Sequence, residues 1–241
     1  MNLQNLFNNW AKEAAGQYQD RQWLLSKWDI LDGVVWPEEK VNILMDHVYQ
    51  GLGLDGSGSL LDAGCGGGWL LDRLARSVEC AVGCDISLEM LKNASSEHLL
   101  LNADACCLPV QDNCFDRVLC YFVLINFMEL KDVEKVVREI LRVLKPGGRA
   151  LIGQLPDQSQ SHVYDTEKKR YVSYCEKHFD IRANTRDIHM IPIQLFQKTF
   201  FTELLDGLSC SYQFLPAFNP FYRDGEPSVI DWRFDIVVDK K

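Results

Sequence analysis

An α/β fold built on a doubly wound, mostly parallel sheet is predicted by three features of the sequence. From residue 59 onward, short apolar runs of strand length alternate with segments of helical period. The first strand turns into its helix through a glycine-rich bend, Asp62-Ala63-Gly64-Cys65-Gly66-Gly67-Gly68. The chain then closes on two strand-like runs, 209–216 and 229–238, which suit an antiparallel pair.

Ahead of the alternation, Leu3, Leu6, Phe7, Trp10, Ala14 and Tyr18 recur at three- and four-residue spacing, so residues 3–30 read as an amphipathic helix. Pro37 suits a first helical turn, and a second helix follows through Val41, Leu44, Met45 and Val48 to the glycines at 51 and 53. SLLDAG (59–64) is the first buried strand, followed by a helix through Leu70, Leu71, Leu74 and Ala75. ECAVGCD (79–85) is the second strand, and SLEMLKNA (87–94) the second helix of the alternation, with Ser87 as its cap. HLLLNAD (98–104) and FDRVLCYFVL (115–124) are the third and fourth strands. The clearest helix is 131–145: Val133, Val136, Val137, Ile140, Leu141 and Leu144 share one face, and Pro146, Gly147 and Gly148 stop it. RALIGQL (149–155) is the fifth strand. Further helices are expected at 164–179 and 193–206.

The 241 residues, 47% hydrophobic and 24% charged, suit one large domain at roughly 150 residues per domain. Lys and Arg number 25 against 34 Asp and Glu, and a net charge of −9 offers no overall attraction to phosphate backbones or anionic lipid. Neither nucleic acid nor membrane is expected as a partner. No apolar run approaches the roughly 20 residues that span a bilayer. The first residues also lack the basic-then-apolar order of a signal peptide, so a cytoplasmic location is expected. The nine cysteines are odd in number, mostly inside apolar runs, and lack paired C-x2-C spacing near histidine. Reduced thiols without a metal are the expectation.

At the bend, the absence of side chains lets backbone N–H groups approach a ligand closely. About twenty residues on, Asp85 ends the second strand, where a carboxylate can accept both ribose hydroxyls. Asp104 ends the third strand and supplies another acceptor. A dinucleotide fingerprint counted from Gly64 and Gly66 would place its third glycine on Trp69, which weakens a pyrophosphate reading. Acidic strand ends without a basic neighbour suit a ligand that lacks phosphates.

Taken in order, LLDAGCGGG, Asp85, NADACCLP, FDRVLCYFVL and LRVLKPGG resemble the class I S-adenosylmethionine-dependent methyltransferases of the small-molecule type 11 branch, over about residues 55–155. The resemblance implies a Rossmann-like, seven-stranded sheet with an antiparallel strand at its edge. It implies S-adenosyl-L-methionine as cofactor and S-adenosyl-L-homocysteine as product. Residues 1–54 would form an N-terminal lid, 55–155 the cofactor-binding core, 156–192 a substrate-shaping insertion, and 193–241 the closing helix and strands of the same domain. By the same resemblance Gly64, Cys65 and Gly66 would pass under the methionine and ribose, with Asp62 orienting the methionine end. Asp85 would bind the ribose, Ile86 would pack on adenine, and Asp104 with Ala105 would meet the adenine edge. Cys120 and Tyr121 would floor the sulfonium, and the lid would bring Tyr18 toward the cofactor.

Departures narrow the chemistry. Where many relatives carry a Glu-His or His-His pair after the fourth strand, this chain has Ile125 and Asn126, so a histidine base is absent there. The Asn-Pro-Pro-Tyr and Pro-Cys patterns of base- and amide-methylating relatives are absent too. The expected reaction is methyl transfer to O, N or C of a small-molecule acceptor, which demands alignment more than acid–base groups. Asn126 and His162 are the candidate catalytic residues, and the protein is expected as monomer or homodimer. His47 and His98 read as scaffold, and His178 and His189 fall in the variable region. Lys168, Lys169 and Arg170 read as a solvated face or a contact for an acidic substrate, and Phe214, Phe218, Phe221 and Tyr222 as core or pocket wall. Two other readings stay open: an NAD(P)-dependent oxidoreductase, and a cofactor-binding protein without catalysis.

Overall fold

A computed structural model describes residues 4, 5, 7–9, 12, 30, 31, 34, 35, 38–95, 97–166, 169, 193–218 and 229–241. Strands β1 (Ile30–Leu31) and β2 (Val34–Val35) form a small antiparallel pair. The helix expected over 3–30 therefore does not reach its last residue, and β-branched Ile30, Val34 and Val35 favour the extended form. Helix α1 (Glu38–Leu52) follows Pro37 as expected.

The alternation then unfolds as β3 (Ser59–Ala63), α2 (Trp69–Leu74), β4 (Cys80–Asp85), α3 (Leu88–Leu91), β5 (Leu99–Asn102), β6 (Phe115–Tyr121), α4 (Leu130–Val143) and β7 (Leu144–Pro156). Helix α5 (Lys198–Asp206) and strands β8 (Cys210–Phe218) and β9 (Val229–Lys240) complete it. Seven strands form one sheet in the order β5-β4-β3-β6-β7-β9-β8. Strands β3 to β7 pair in parallel. The last strand, β9, is antiparallel to both neighbours and is inserted between β7 and the edge strand β8.

Period-2 alternation splits the strand residues between two apolar layers. Leu60, Leu119, Tyr121 and Leu151 face α1 and α2, where Leu44, Val48, Leu52 and Trp69 are buried. Leu61, Val118, Ala150 and Ile152 face α4 and α5, meeting Val133, Val137, Ile140 and Phe201. Helices on both faces make the sheet doubly wound.

Several boundaries differ from the sequence reading. The helix expected over 131–145 ends at Val143, and the strand expected over 149–155 begins at Leu144, which the spacing assigns to the helix face. The fourth strand stops at Tyr121, because Phe122 takes a left-handed φ of 62° and Leu124–Asn126 turn as a 3-10 helix. The helix expected from 193 begins at Lys198: Phe196 is held extended, its N–H donating to Pro156 O (2.8 Å) and its carbonyl accepting from Gln158 N (2.8 Å). The helix expected at 164–179 is already formed at residues 161–166. Trp10, Tyr18, Lys168, Arg170, His178, His189, Phe221 and Tyr222 lie outside the described residues.

Candidate functional site

The parallel strands present their carboxyl ends to one rim, the position at which doubly wound sheets bind ligands. β3 delivers Asp62 there, 3% exposed. The bend that follows is built from left-handed residues: Gly64 has φ 91°, and a Cβ on it would sit 2.2 Å from Val123 Cγ2. Glycine is required at that position on both counts.

Four N–H groups of the bend are engaged inside the protein. Gly64 and Cys65 N–H donate to Cys84 O (2.7 and 2.9 Å), and Gly68 N–H to Cys65 O (2.9 Å). Gly66 N–H donates to Asp85 Oδ2 at 2.8 Å. For these four N–H groups the expectation that the bend offers them to a ligand is corrected: they fix the loop on itself and against β4, beside the buried carboxylates of Asp62 and Asp85. That arrangement opposes a pyrophosphate, which needs donors, and suits a cationic or hydroxyl-bearing ligand.

Among the described residues Asp62 Oδ2 is buried without a hydrogen-bond partner. Burial, with the nearby Asp85 charge adding to it, pushes the Asp62 carboxyl from 3.8 up to about 7. Burial likewise pushes Asp85 upward, against backbone bonds from Ser87 and Gly66 that favour its charge. Asp85 Oδ1 accepts Ser87 N–H at 2.8 Å. Each oxygen keeps a further lone pair, enough for two ribose hydroxyls. A buried acceptor lacking its donor, beside a second carboxylate, is the environment an ammonium or sulfonium would complete.

Ile86 is half-buried, and its carbonyl accepts from Asn102 Nδ2 (3.0 Å) and Gln4 Nε2 (3.2 Å). Ser87 caps α3 through Met90 N–H and donates to Asn8 Oδ1 at 2.7 Å. Helical residues near the N-terminus thus touch the loop after β4, on the rim that carries the acidic strand ends. Asp104 is exposed and accepts Cys106 N–H (2.8 Å), with Ala105 half-buried beside it. The structure brings Asp62, Gly64, Cys65, Gly66, Asp85, Ile86, Asp104 and Ala105 to one rim.

Cys120 and Tyr121 end β6 at the same rim but point apart. Cys120 is 1% exposed within the α4 layer, and burial drives its thiol upward. Tyr121 turns to the α1 layer, donating to Asp235 Oδ2 (3.2 Å) and accepting from Gln154 Nε2 (3.2 Å). The side chain that packs on the bend is instead Val123, which follows the left-handed Phe122 in the chain. Asn126 braces that turn, its Nδ2 donating to Phe122 O and Val123 O at 3.0 and 3.1 Å. His162 is exposed on the helical turn after β7.

Sequence reasoning missed a buried polar network behind Tyr121. Asp235, 0% exposed, also meets His47 Nε2 (2.8 Å) and accepts Gln154 N–H (2.7 Å). His47 is therefore more than bland scaffold. Gln154 has a left-handed φ of 65° at a register shift between β7 and β9, and Arg233 is 4% exposed beside it. The available signal was two charges, Arg233 and Asp235, inside the otherwise apolar run WRFDIVV.

Residues 61–152 match the type 11 family model described as a methyltransferase domain. The demethylmenaquinone methyltransferase of Corynebacterium kroppenstedtii is 39% identical over 94 residues, 39% of this chain and 40% of that protein. Methyltransferase GfsG of Streptomyces halstedii is 30% identical over 171 residues, covering 62% of this chain and 60% of its own. The chain thus spans about half the length of the curated relatives it matches. Among solved structures, the magnesium protoporphyrin IX methyltransferase of Synechocystis, with S-adenosylhomocysteine bound, superposes with a TM-score of 0.59 at 16% identity, covering 84% of each chain. At that identity the likeness is one of fold.

Proposed function

Because residues 61–152 belong to the type 11 family of class I S-adenosylmethionine-dependent methyltransferases, we propose that this protein transfers a methyl group from S-adenosyl-L-methionine to O, N or C of a small-molecule acceptor. The observation that carries the reading is the pair of buried carboxylates at the glycine bend, one of which lacks a donor. When bound, the cofactor supplies an electrophilic methyl and its own leaving group.

The protein's residues bind, align and exclude water. Asp62 faces the cationic methionine end, and Asp85 accepts from the ribose. Ile86 walls the adenine, and Asp104 with Ala105 meets its edge. The side-chain-free bend at Gly64 and Gly66 permits close approach, while Phe122 and Val123 close the floor opposite it. In-line displacement then depends on alignment rather than on a base. Asn126, engaged with the floor turn, holds that floor in place. His162, exposed after β7, is available as a base only for acceptors that must lose a proton. The helical N-terminus, through Gln4 and Asn8, covers the adenine side as a lid.

A small-molecule acceptor is supported by the net charge of −9, which disfavours nucleic acid, and by the demethylmenaquinone in the name of the Corynebacterium relative. Transfer of isotope-labelled methyl from S-adenosyl-L-methionine to a metabolite panel, read by mass spectrometry, tests the reaction. Labelled product is expected with the parent chain and at least 100-fold less with Asp85→Ala. Equal labelling by both would remove the site assignment.

A further inference from the structure

At the carboxyl ends of β6 and β7, Tyr121 stands opposite Gly153, and Phe122 N–H donates to Gly153 O at 3.3 Å. The next residue on each strand, Phe122 and Gln154, holds a left-handed φ, 62° and 65°. Non-glycine residues keep such a backbone only where their surroundings enforce it. Val123, directly after Phe122, is the side chain packed on Gly64. The two strained positions therefore border the glycine bend.

A single carboxylate ties both strand ends down. Asp235, on β9, accepts Gln154 N–H on Oδ1 at 2.7 Å, a bond made possible by the register shift between Ile152 and Leu155. Its Oδ2 accepts the Tyr121 hydroxyl at 3.2 Å and meets His47 Nε2, from α1, at 2.8 Å. Gln154 Nε2 closes the ring by donating to the Tyr121 hydroxyl (3.2 Å) and to Phe218 O (2.7 Å). Gly153 leaves room for this: a Cβ there would lie 2.1 Å from Tyr121 Cε2 and 3.0 Å from Asp235 Oδ1. A buried carboxylate contributes little net stability compared with an apolar replacement of similar shape, so packing alone does not account for Asp235.

Resting on the methyl-transfer reading above, we propose that Asp235 is a positioning residue for methyl transfer: through Tyr121 and Gln154 it locks the ends of β6 and β7, and so holds Val123 against the bend at the methionine end of the cofactor. At 0% exposure Asp235 meets no ligand and acts only through these neighbours. His47 anchors the carboxylate from α1, so the floor of the site is referred to the helix layer behind the sheet. The cofactor-binding carboxylates, Asp62 and Asp85, stand at the ends of β3 and β4 and lie outside this network. Loosening Asp235 therefore disturbs alignment more than binding. In-line displacement is sensitive to that, since a misplacement of about 1 Å costs on the order of 100-fold in rate.

The test uses the full chain and S-adenosyl-L-methionine carrying carbon-13 in its methyl group, reading the bound methyl resonance by NMR and the affinity by calorimetric titration. The parent is expected to show one bound resonance, displaced from that of the free cofactor. Asp235→Ala should move it back toward the free position by more than a linewidth, with affinity within about tenfold of the parent. Asp235→Asn keeps an oxygen for Gln154 N–H and should return the resonance most of the way to the parent position. Tyr121→Phe, which cuts the link to β6 but keeps the ring over Gly153, should shift it in the same direction as Asp235→Ala, and decides the matter if that variant does not fold. A purely structural Asp235 would lower stability yet leave the resonance of the folded Asp235→Ala chain where the parent has it, and that result overturns the proposal. So does an unshifted Tyr121→Phe, an Asp235→Asn no nearer the parent than Asp235→Ala, a larger loss of affinity, or a parent resonance at the free position. Failure of the parent to bind S-adenosyl-L-methionine overturns the methyl-transfer reading itself, and this proposal with it.

Discussion

Replacing Asp62 with Asn should make the ligand-free protein more stable at alkaline pH and less able to bind its cofactor. The Asp62 carboxyl titrates at about 7 in the folded chain against an ordinary 3.8, with burial the main cause and Asp85 the second. A folded-state pKa raised in this way means that the unfolded chain ionises first. Stability is fully present below about 3.8, falls as the pH rises and levels off above about 7. At about 1.4 kcal/mol per tenfold change, the full loss is about 4 kcal/mol, of which about 3 kcal/mol falls between pH 5 and pH 8. Asn is nearly isosteric and cannot ionise, so it removes that slope. Urea denaturation of both chains, without cofactor, at unit intervals from pH 5 to pH 8 measures the difference. The stability of Asp62→Asn relative to the parent should climb by about 3 kcal/mol across that range. Parallel curves would refute the claim that Asp62 is a strained acceptor held for a cation.

Three further outcomes follow from the same geometry. Gly64→Ala forces a left-handed alanine against Val123 Cγ2 at 2.2 Å; a loss of about 2–4 kcal/mol in urea denaturation is expected, with cofactor binding abolished. Asp235→Ala leaves His47, Tyr121 and the Gln154 N–H without their shared acceptor; thermal or urea unfolding should show about 3 kcal/mol or more of destabilisation. Ser87→Ala removes the α3 cap and the bond to Asn8; about 1 kcal/mol of stability should go, and faster amide exchange around residues 88–90 would locate it.

The central sheet was legible because parallel strands buried on both faces read as continuous apolar runs: SLLDA, CAVGCD and FDRVLCY all fall where expected. Gly64 was legible for a related reason, since only glycine tolerates both the positive φ and the closeness of Val123. What the sequence concealed depends on contacts far apart in the chain. The extended Phe196 is held by Pro156 and Gln158, about forty residues away, whereas its local spacing with Thr199 and Phe200 fits a helix equally well. Tyr121 was placed on the correct rim, but its hydroxyl is aimed by Asp235, 114 residues on. The role of Gln154 depends on a register shift between antiparallel strands, which no periodicity announces. The direction of the Gly64 and Cys65 N–H groups was hidden for a similar reason: their acceptor is the carbonyl of Cys84, on the neighbouring strand.

Calorimetric titration of the purified chain with S-adenosylhomocysteine, and separately with NAD, puts the acidic cradle to its most direct trial. One site per chain of micromolar affinity is expected for the first ligand, weakened at least 100-fold by Asp85→Ala, and no binding heat for the second. Tighter binding of NAD, or an Asp85→Ala chain that holds S-adenosylhomocysteine as well as the parent does, would contradict it.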